Sequence, residues 1–89
     1  MARADLTVSV VSADQQVWSG QASMVVARTS EGEIGILAGH EPLLAILATG
    51  NVRITQAGGA VITADADEGF LSVENDNVTV VARRAALVA

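Results

Sequence analysis

The chain has no cysteine, no lysine, one proline, one histidine and only two aromatic side chains, Trp18 and Phe70, in its 89 residues. Without thiols there is no disulfide framework, no cysteine nucleophile and no thiolate metal site. With a single histidine, a transition metal would depend mostly on carboxylates, and none are spaced for one. No apolar run approaches the roughly 20 residues of a membrane-spanning helix; the longest extends only from Leu43 to Ala48. Ten acids against five arginines give a formal charge of −5, which is the wrong sign for a nucleic-acid surface. Met1–Asp5 brings an acid before any apolar stretch, so it does not read as a signal peptide. A soluble single domain spanning 1–89, large enough for one core, is expected.

What the chain does have is alternation. Leu6, Val8 and Val10 interleave with Thr7 and Ser9, Val52 and Ile54 with Arg53 and Thr55, and Val78 and Val80 with Asn77 and Thr79. Met24 and Val26 stand between Ser23, Val25 and Ala27. A period of two in segments rich in Val, Ile and Thr predicts half-buried strands. Turn signals part them at short intervals: Ala13-Asp14-Gln15-Gln16, Ser19-Gly20, Gly58-Gly59, Asp65–Gly69 and Asn75-Asp76-Asn77. Gly58-Gly59 is expected to close a two-residue hairpin, and Asn75–Asn77 offers residues that tolerate left-handed backbone. Short strands at this spacing predict an all-β, antiparallel sandwich or barrel over about 5–82. Pro42–Ala48 reads as a strand, with or without a leading turn. Residues 83–89 form a short tail of helical composition, too short to hold a helix alone.

The densest turn chemistry lies in Glu31-Gly32-Glu33-Ile34-Gly35-Ile36-Leu37-Ala38-Gly39-His40-Glu41-Pro42-Leu43-Leu44, followed by Gly50 and Val52-Arg53-Ile54. His40-Glu41 suggests a base and its orienter, but neighbours on extended chain point to opposite sides. No Ser or Thr sits in a nucleophile context. Asp65, Asp67, Glu68 and Asp76 imitate a calcium loop, yet Phe70 occupies the position that needs glycine and the twelfth position lacks Glu. The glycines have no phosphate-loop context. Trp18 is expected to fill the core, and Arg83-Arg84 to be a solvated terminus, able to pair with acids on a partner. The residues alone leave a rigid corner displaying Glu31, Glu33, His40 and Glu41: a docking surface without chemistry.

That corner resembles the signature of the epsilon subunit of F-type ATP synthases (delta in mitochondria), roughly Glu-Gly-Glu-x-Gly-Ile-x-Pro-Gly-His-x-Pro-Leu-Leu. Leu6–Ser12 with Val17-Trp18-Ser19-Gly20 resembles the family's first strands. Gly69–Val73 with Asn77–Ala82 resembles its closing hairpin, so the match runs from about Leu6 to Ala82. The resemblance implies a ten-stranded sandwich of two sheets and a non-catalytic place in the central stalk, coupling rotation of the c ring to ATP synthesis. It implies the gamma subunit and the c ring as partners, met through Glu31, Glu33, His40, Glu41 and Pro42, with apolar patches on one sheet supplying most of the gamma contact. No cofactor, metal, catalytic residue, nucleic acid or nucleotide binding is implied.

Membrane association would come only through the complex, at the cytoplasmic face of the bacterial inner (plasma) membrane; arginine without lysine suits a GC-rich bacterial genome. The family's C-terminal helical hairpin is not expected here, and with it goes inhibition of hydrolysis by helix extension. Ala38 replaces the family's usual proline, and Glu41 a small neutral residue. Two other classes are set against this reading. One is a free-standing β-sandwich adaptor; the other is a small hydrolase built on His40 and Glu41.

Overall fold

The computed structural model describes residues 5–13 and 15–88. The expected turn at Ala13–Gln16 therefore includes one position, Asp14, outside the described residues, as are Met1–Ala4 and Ala89. Among the described residues, ten strands follow one another: β1 (Leu6–Ser12), β2 (Gln15–Ala22), β3 (Met24–Thr29), β4 (Gly32–Leu37), β5 (Leu43–Leu47), β6 (Gly50–Thr55), β7 (Val61–Ala66), β8 (Gly69–Glu74), β9 (Asn77–Ala82) and β10 (Ala85–Leu87).

Alternation decides which face each strand buries. Leu6, Val8 and Val10 of β1, Val25 and Ala27 of β3, Val52 and Ile54 of β6, Leu71 and Val73 of β8, and Val78 and Val80 of β9 are all buried in one cluster. Burying each Leu, Ile or Val side chain contributes about 1.5–3 kcal/mol. Trp18 is half-buried against this cluster. Its ring lies over Gly20, where a Cβ would come within 2.9 Å of it. Among the described residues, no buried side-chain polar atom lacks a hydrogen-bond partner, as a well-formed core requires.

The two expected sheets are two arms of one hydrogen-bonded sheet. Its order is β10-β7-β6-β3-β5-β8-β9-β1-β2, with β4 on the other edge of β3. The fold turns over at β3, whose first half pairs with β6 (Met24↔Thr55, Val25↔Ile54) while Thr29 pairs with Leu47 of β5. Because β5 and β6 share that edge in succession, the arms peel apart and face each other across the core.

Three local features depart from the expectation. First, β1 and β9 are parallel, in register from Thr7↔Asn77 to Val11↔Val81. They lie far apart in the chain, so no hairpin dictates their direction. Second, the Gly58-Gly59 turn is not a two-residue hairpin. Gly59 N–H donates to the Gln56 carbonyl and Gln56 N–H to that of Ala60, leaving three residues in the loop. Only Gly59, at φ +96°, is left-handed; this is the pattern of a turn ending in a glycine bulge. Third, the tail forms strand β10, pairing Ala85↔Ala66 and Leu87↔Ala64. Three residues gain an extended conformation from the ladder of β7, a partner that local composition does not reveal.

Candidate docking surfaces

The segment that reads as one corner in sequence is divided by strand β4. Glu31 sits in the β3–β4 turn and His40 in the β4–β5 turn, with Gly32–Leu37 extended between them. At about 3.4 Å per residue, the five steps of β4 separate its ends by roughly 17 Å. Glu31 and Glu33 therefore lie toward one end of the sandwich, and His40, Glu41 and Pro42 at the other.

The Glu31 end is held by Thr29. Its hydroxyl donates to the Gly32 carbonyl at 2.7 Å and accepts the Glu31 N–H at 3.2 Å. Gly32 takes φ +117°, a backbone shape that favours glycine. Ser30 N–H donates to Ile46 O at 2.9 Å and fastens the tip to β5. Glu31 is exposed. Glu33 points outward and meets Arg53 at 3.4 Å, an exposed pair worth at most about 1 kcal/mol.

The His40 end is a four-residue turn, Leu37–His40, closed by His40 N–H donating to Leu37 O at 3.1 Å. Gly39 occupies its third position at φ +88°, as a type II turn demands, and Ala38 holds the position where such turns favour proline. Gly39 N–H donates to Asp76 Oδ1 at 2.7 Å. The His40 ring donates from Nδ1 to the Glu41 backbone carbonyl at 2.7 Å. Its polar contact is thus with backbone, not with the Glu41 carboxylate, so the pair does not form a base and its orienter.

Between the two ends lies a third surface, on the outer face of β5, β8, β9 and β1. The registers Ile46↔Phe70, Phe70↔Val81 and Val11↔Val81 line up an apolar row across four strands. Beside it runs the row Leu44, Ser72, Thr79 and Ser9. Neither row contains a charged side chain. Leu44 is 73%, Ile46 63% and Phe70 44% exposed, and loss of charge with aromatic enrichment marks the centre of a protein interface. The sequence signal for this face is the run Leu43–Ala48, apolar at every position. A strand with one face in the core and the other apolar has two surfaces to cover.

The opposite outer face carries the Glu33–Arg53 pair and a hydrogen bond from Asn51 to Asp65, with Leu37 and Val61 exposed at one end. Arg83 and Arg84 stand 3.8 and 3.9 Å from Glu68 and Asp67, largely in solvent. Among the described residues, no group of three or more His, Asp or Glu side chains is gathered to hold a metal.

Residues 5–88 match the family model described as ATP synthase, Delta/Epsilon chain, beta-sandwich domain. An ATP synthase epsilon chain of Frankia casuarinae is 48% identical over 82 residues, covering 92% of this chain and 96% of that protein. That of Micrococcus luteus is 49% identical over 84 residues, covering 94% and 92%. The Streptomyces avermitilis epsilon chain is 44% identical, with 94% of this chain matched to 68% of its own length. Among solved structures, a chain of the Euglena gracilis mitochondrial ATP synthase, determined as OSCP/F1/c-ring, superposes with a TM-score of 0.89 at 26% identity. The match covers 96% of this chain and 54% of that one. A chain from the central stalk/c-ring structure of the Tetrahymena thermophila enzyme shares the fold, with a TM-score of 0.72 at 13% identity. By sequence over nearly its whole length and by strand arrangement, this chain belongs to the delta/epsilon chain family of ATP synthase.

Proposed function

We propose that the chain is a non-catalytic rotor subunit in the central stalk of an F-type ATP synthase, peripheral to the cytoplasmic face of a bacterial membrane. It couples rotation of the c ring to ATP synthesis by gripping gamma and resting on the ring. The observation that carries this reading is the pair of uncharged rows on the outer face of β5, β8, β9 and β1, with Leu44 exposed in one and Ile46 and Phe70 paired and exposed in the other; Glu74 of β8 bounds them toward the Pro42 end. A subunit that only transmits torque needs a broad, rigid grip and no reacting group.

The division of the signature by β4 supports two partners on different surfaces. The His40–Glu41–Pro42 turn leads directly into Leu43 and Leu44, so it extends the apolar face and borders gamma. The Glu31 tip with Glu33, acidic and stiffened by Thr29, rests on polar or basic loops of the c ring. Most of the affinity comes from the apolar side chains, since exposed ion pairs contribute only about 0–1 kcal/mol each.

Binding of purified gamma, measured by calorimetry for the wild type and for Ile46→Asp and Phe70→Asp, tests the proposal. Both variants should fold with the wild-type melting temperature and lose gamma binding. Gamma binding that survives both substitutions would remove the basis for this assignment.

A further inference from the structure

Asp76 is not part of the signature, but it joins three segments that are distant in sequence. It is the second residue of the β8–β9 turn, between the paired Glu74 and Asn77. Asn75 and Asp76 take φ values of 51° and 61°, as a type I′ turn requires at both central positions. Its backbone carbonyl accepts the Thr7 N–H at 2.8 Å, capping the start of β1. Its Oδ1 accepts the Gly39 N–H at 2.7 Å, across 37 residues of chain. The last bond is charge-assisted and reaches the glycine whose φ shapes the turn before His40.

We propose that Asp76 is a positioning residue for docking: it holds the Ala38–Pro42 turn in the form that gamma meets. This rests on the reading of His40–Pro42 as the border of the gamma surface. Two features make the turn need an outside hold. Ala38 leaves φ free at the position where proline would fix it, and the turn's two internal bonds, His40 N–H to Leu37 O at 3.1 Å and the His40 ring to Glu41 O at 2.7 Å, both leave the Gly39 N–H to an outside acceptor. A carboxylate on a rigid two-residue hairpin supplies the missing constraint. Ordering the loop before binding removes part of the entropy that association would otherwise cost.

Removing the carboxylate must be separated from disturbing the left-handed backbone. Glycine accepts φ +61° without a side chain, so Asp76→Gly keeps the hairpin and removes the acceptor. Asparagine keeps both the left-handed tolerance and an Oδ1 acceptor, so Asp76→Asn is the conservative rescue. Three quantities are measured for wild type and both variants: melting temperature, hydrogen exchange of the Gly39 amide by NMR, and gamma affinity by calorimetry.

The expected pattern is an Asp76→Gly chain that melts near the wild type, exchanges Gly39 faster, and binds gamma about five- to tenfold more weakly, roughly 1–1.4 kcal/mol. Asp76→Asn should restore most of both. Unchanged Gly39 exchange in Asp76→Gly would show that no such latch operates in solution, whatever gamma does. Faster exchange with unchanged gamma affinity would overturn the positioning role and place the His40 turn outside the gamma surface. The binding of the Ile46→Asp and Phe70→Asp variants reports separately on the apolar face.

Discussion

Replacing Gly69 with alanine should be among the most damaging single-methyl additions this chain can receive. Gly69 opens β8 between two partners, opposite Ala82 of β9 and Leu47 of β5. A Cβ there would stand 1.8 Å from the Val81 carbonyl oxygen and 2.7 Å from Ala82 Cα. Both are backbone atoms of a paired strand, so no side chain can swing aside to make room. Relief requires β9 to move, and β9 carries buried Val78 and Val80 and is paired with β1 as well. Overpacking of this kind costs about 3 kcal/mol, the upper end of its usual range. A domain of this length has about 4–13 kcal/mol in total, and the loss corresponds to a fall in melting temperature of roughly 12–24 °C.

Two other glycines isolate the cause. Gly35 and Gly39 have nothing within 4 Å of an added Cβ, but Gly39 sits at φ +88°. Gly35→Ala should therefore be neutral or stabilising by up to about 1 kcal/mol. Gly39→Ala should cost about 1–2 kcal/mol through backbone strain alone. Thermal unfolding followed by circular dichroism, with urea denaturation as a second measure, gives the order Gly35→Ala above Gly39→Ala above Gly69→Ala. A Gly69→Ala chain that melts within a few degrees of the wild type would refute the steric argument.

Ala38→Pro should stabilise the chain by about 0.4–1 kcal/mol, read as a rise in melting temperature, because it fixes φ where the type II turn needs it; destabilisation would mean the turn has another shape. Thr29→Val keeps the side-chain volume but removes the hydroxyl that ties Glu31 N–H and Gly32 O. It should cost about 1 kcal/mol and speed exchange of the Glu31 amide, whereas an unaltered exchange rate would free the tip from dependence on Thr29. Arg53→Ala removes the partner of Glu33, half-exposed at 51% and 56%, and should change stability by less than about 1 kcal/mol; a larger loss by urea titration would give that pair a structural weight its exposure does not support.

The sequence by itself determined the class of fold and the strands that bury the core. Alternation in Leu6–Val10, Val52–Ile54 and Val78–Val80 is a local property, and a pleated strand converts it directly into an inner and an outer face. The left-handed turn at Asn75-Asp76 was legible for the same reason, since those side chains tolerate positive φ wherever they occur. The spaced motifs from Glu31 to Leu44 were enough to indicate the family, because order and spacing survive without coordinates.

The tertiary structure decided what depends on distant partners. Local chemistry could not say that β9 would lie parallel to β1, that Ala85–Leu87 would become a strand on β7, or that the sheet would fold over at β3. Nor could it show that Glu31 and His40 belong to opposite ends of the sandwich, because neighbours in sequence are far apart along an extended strand. The same geometry works in reverse at Asp76 and Gly39, which are 37 residues apart yet share a hydrogen bond of 2.7 Å. A strand carries its sequence neighbours away from one another, and the pairing of strands brings strangers together; a docking surface is built from both effects.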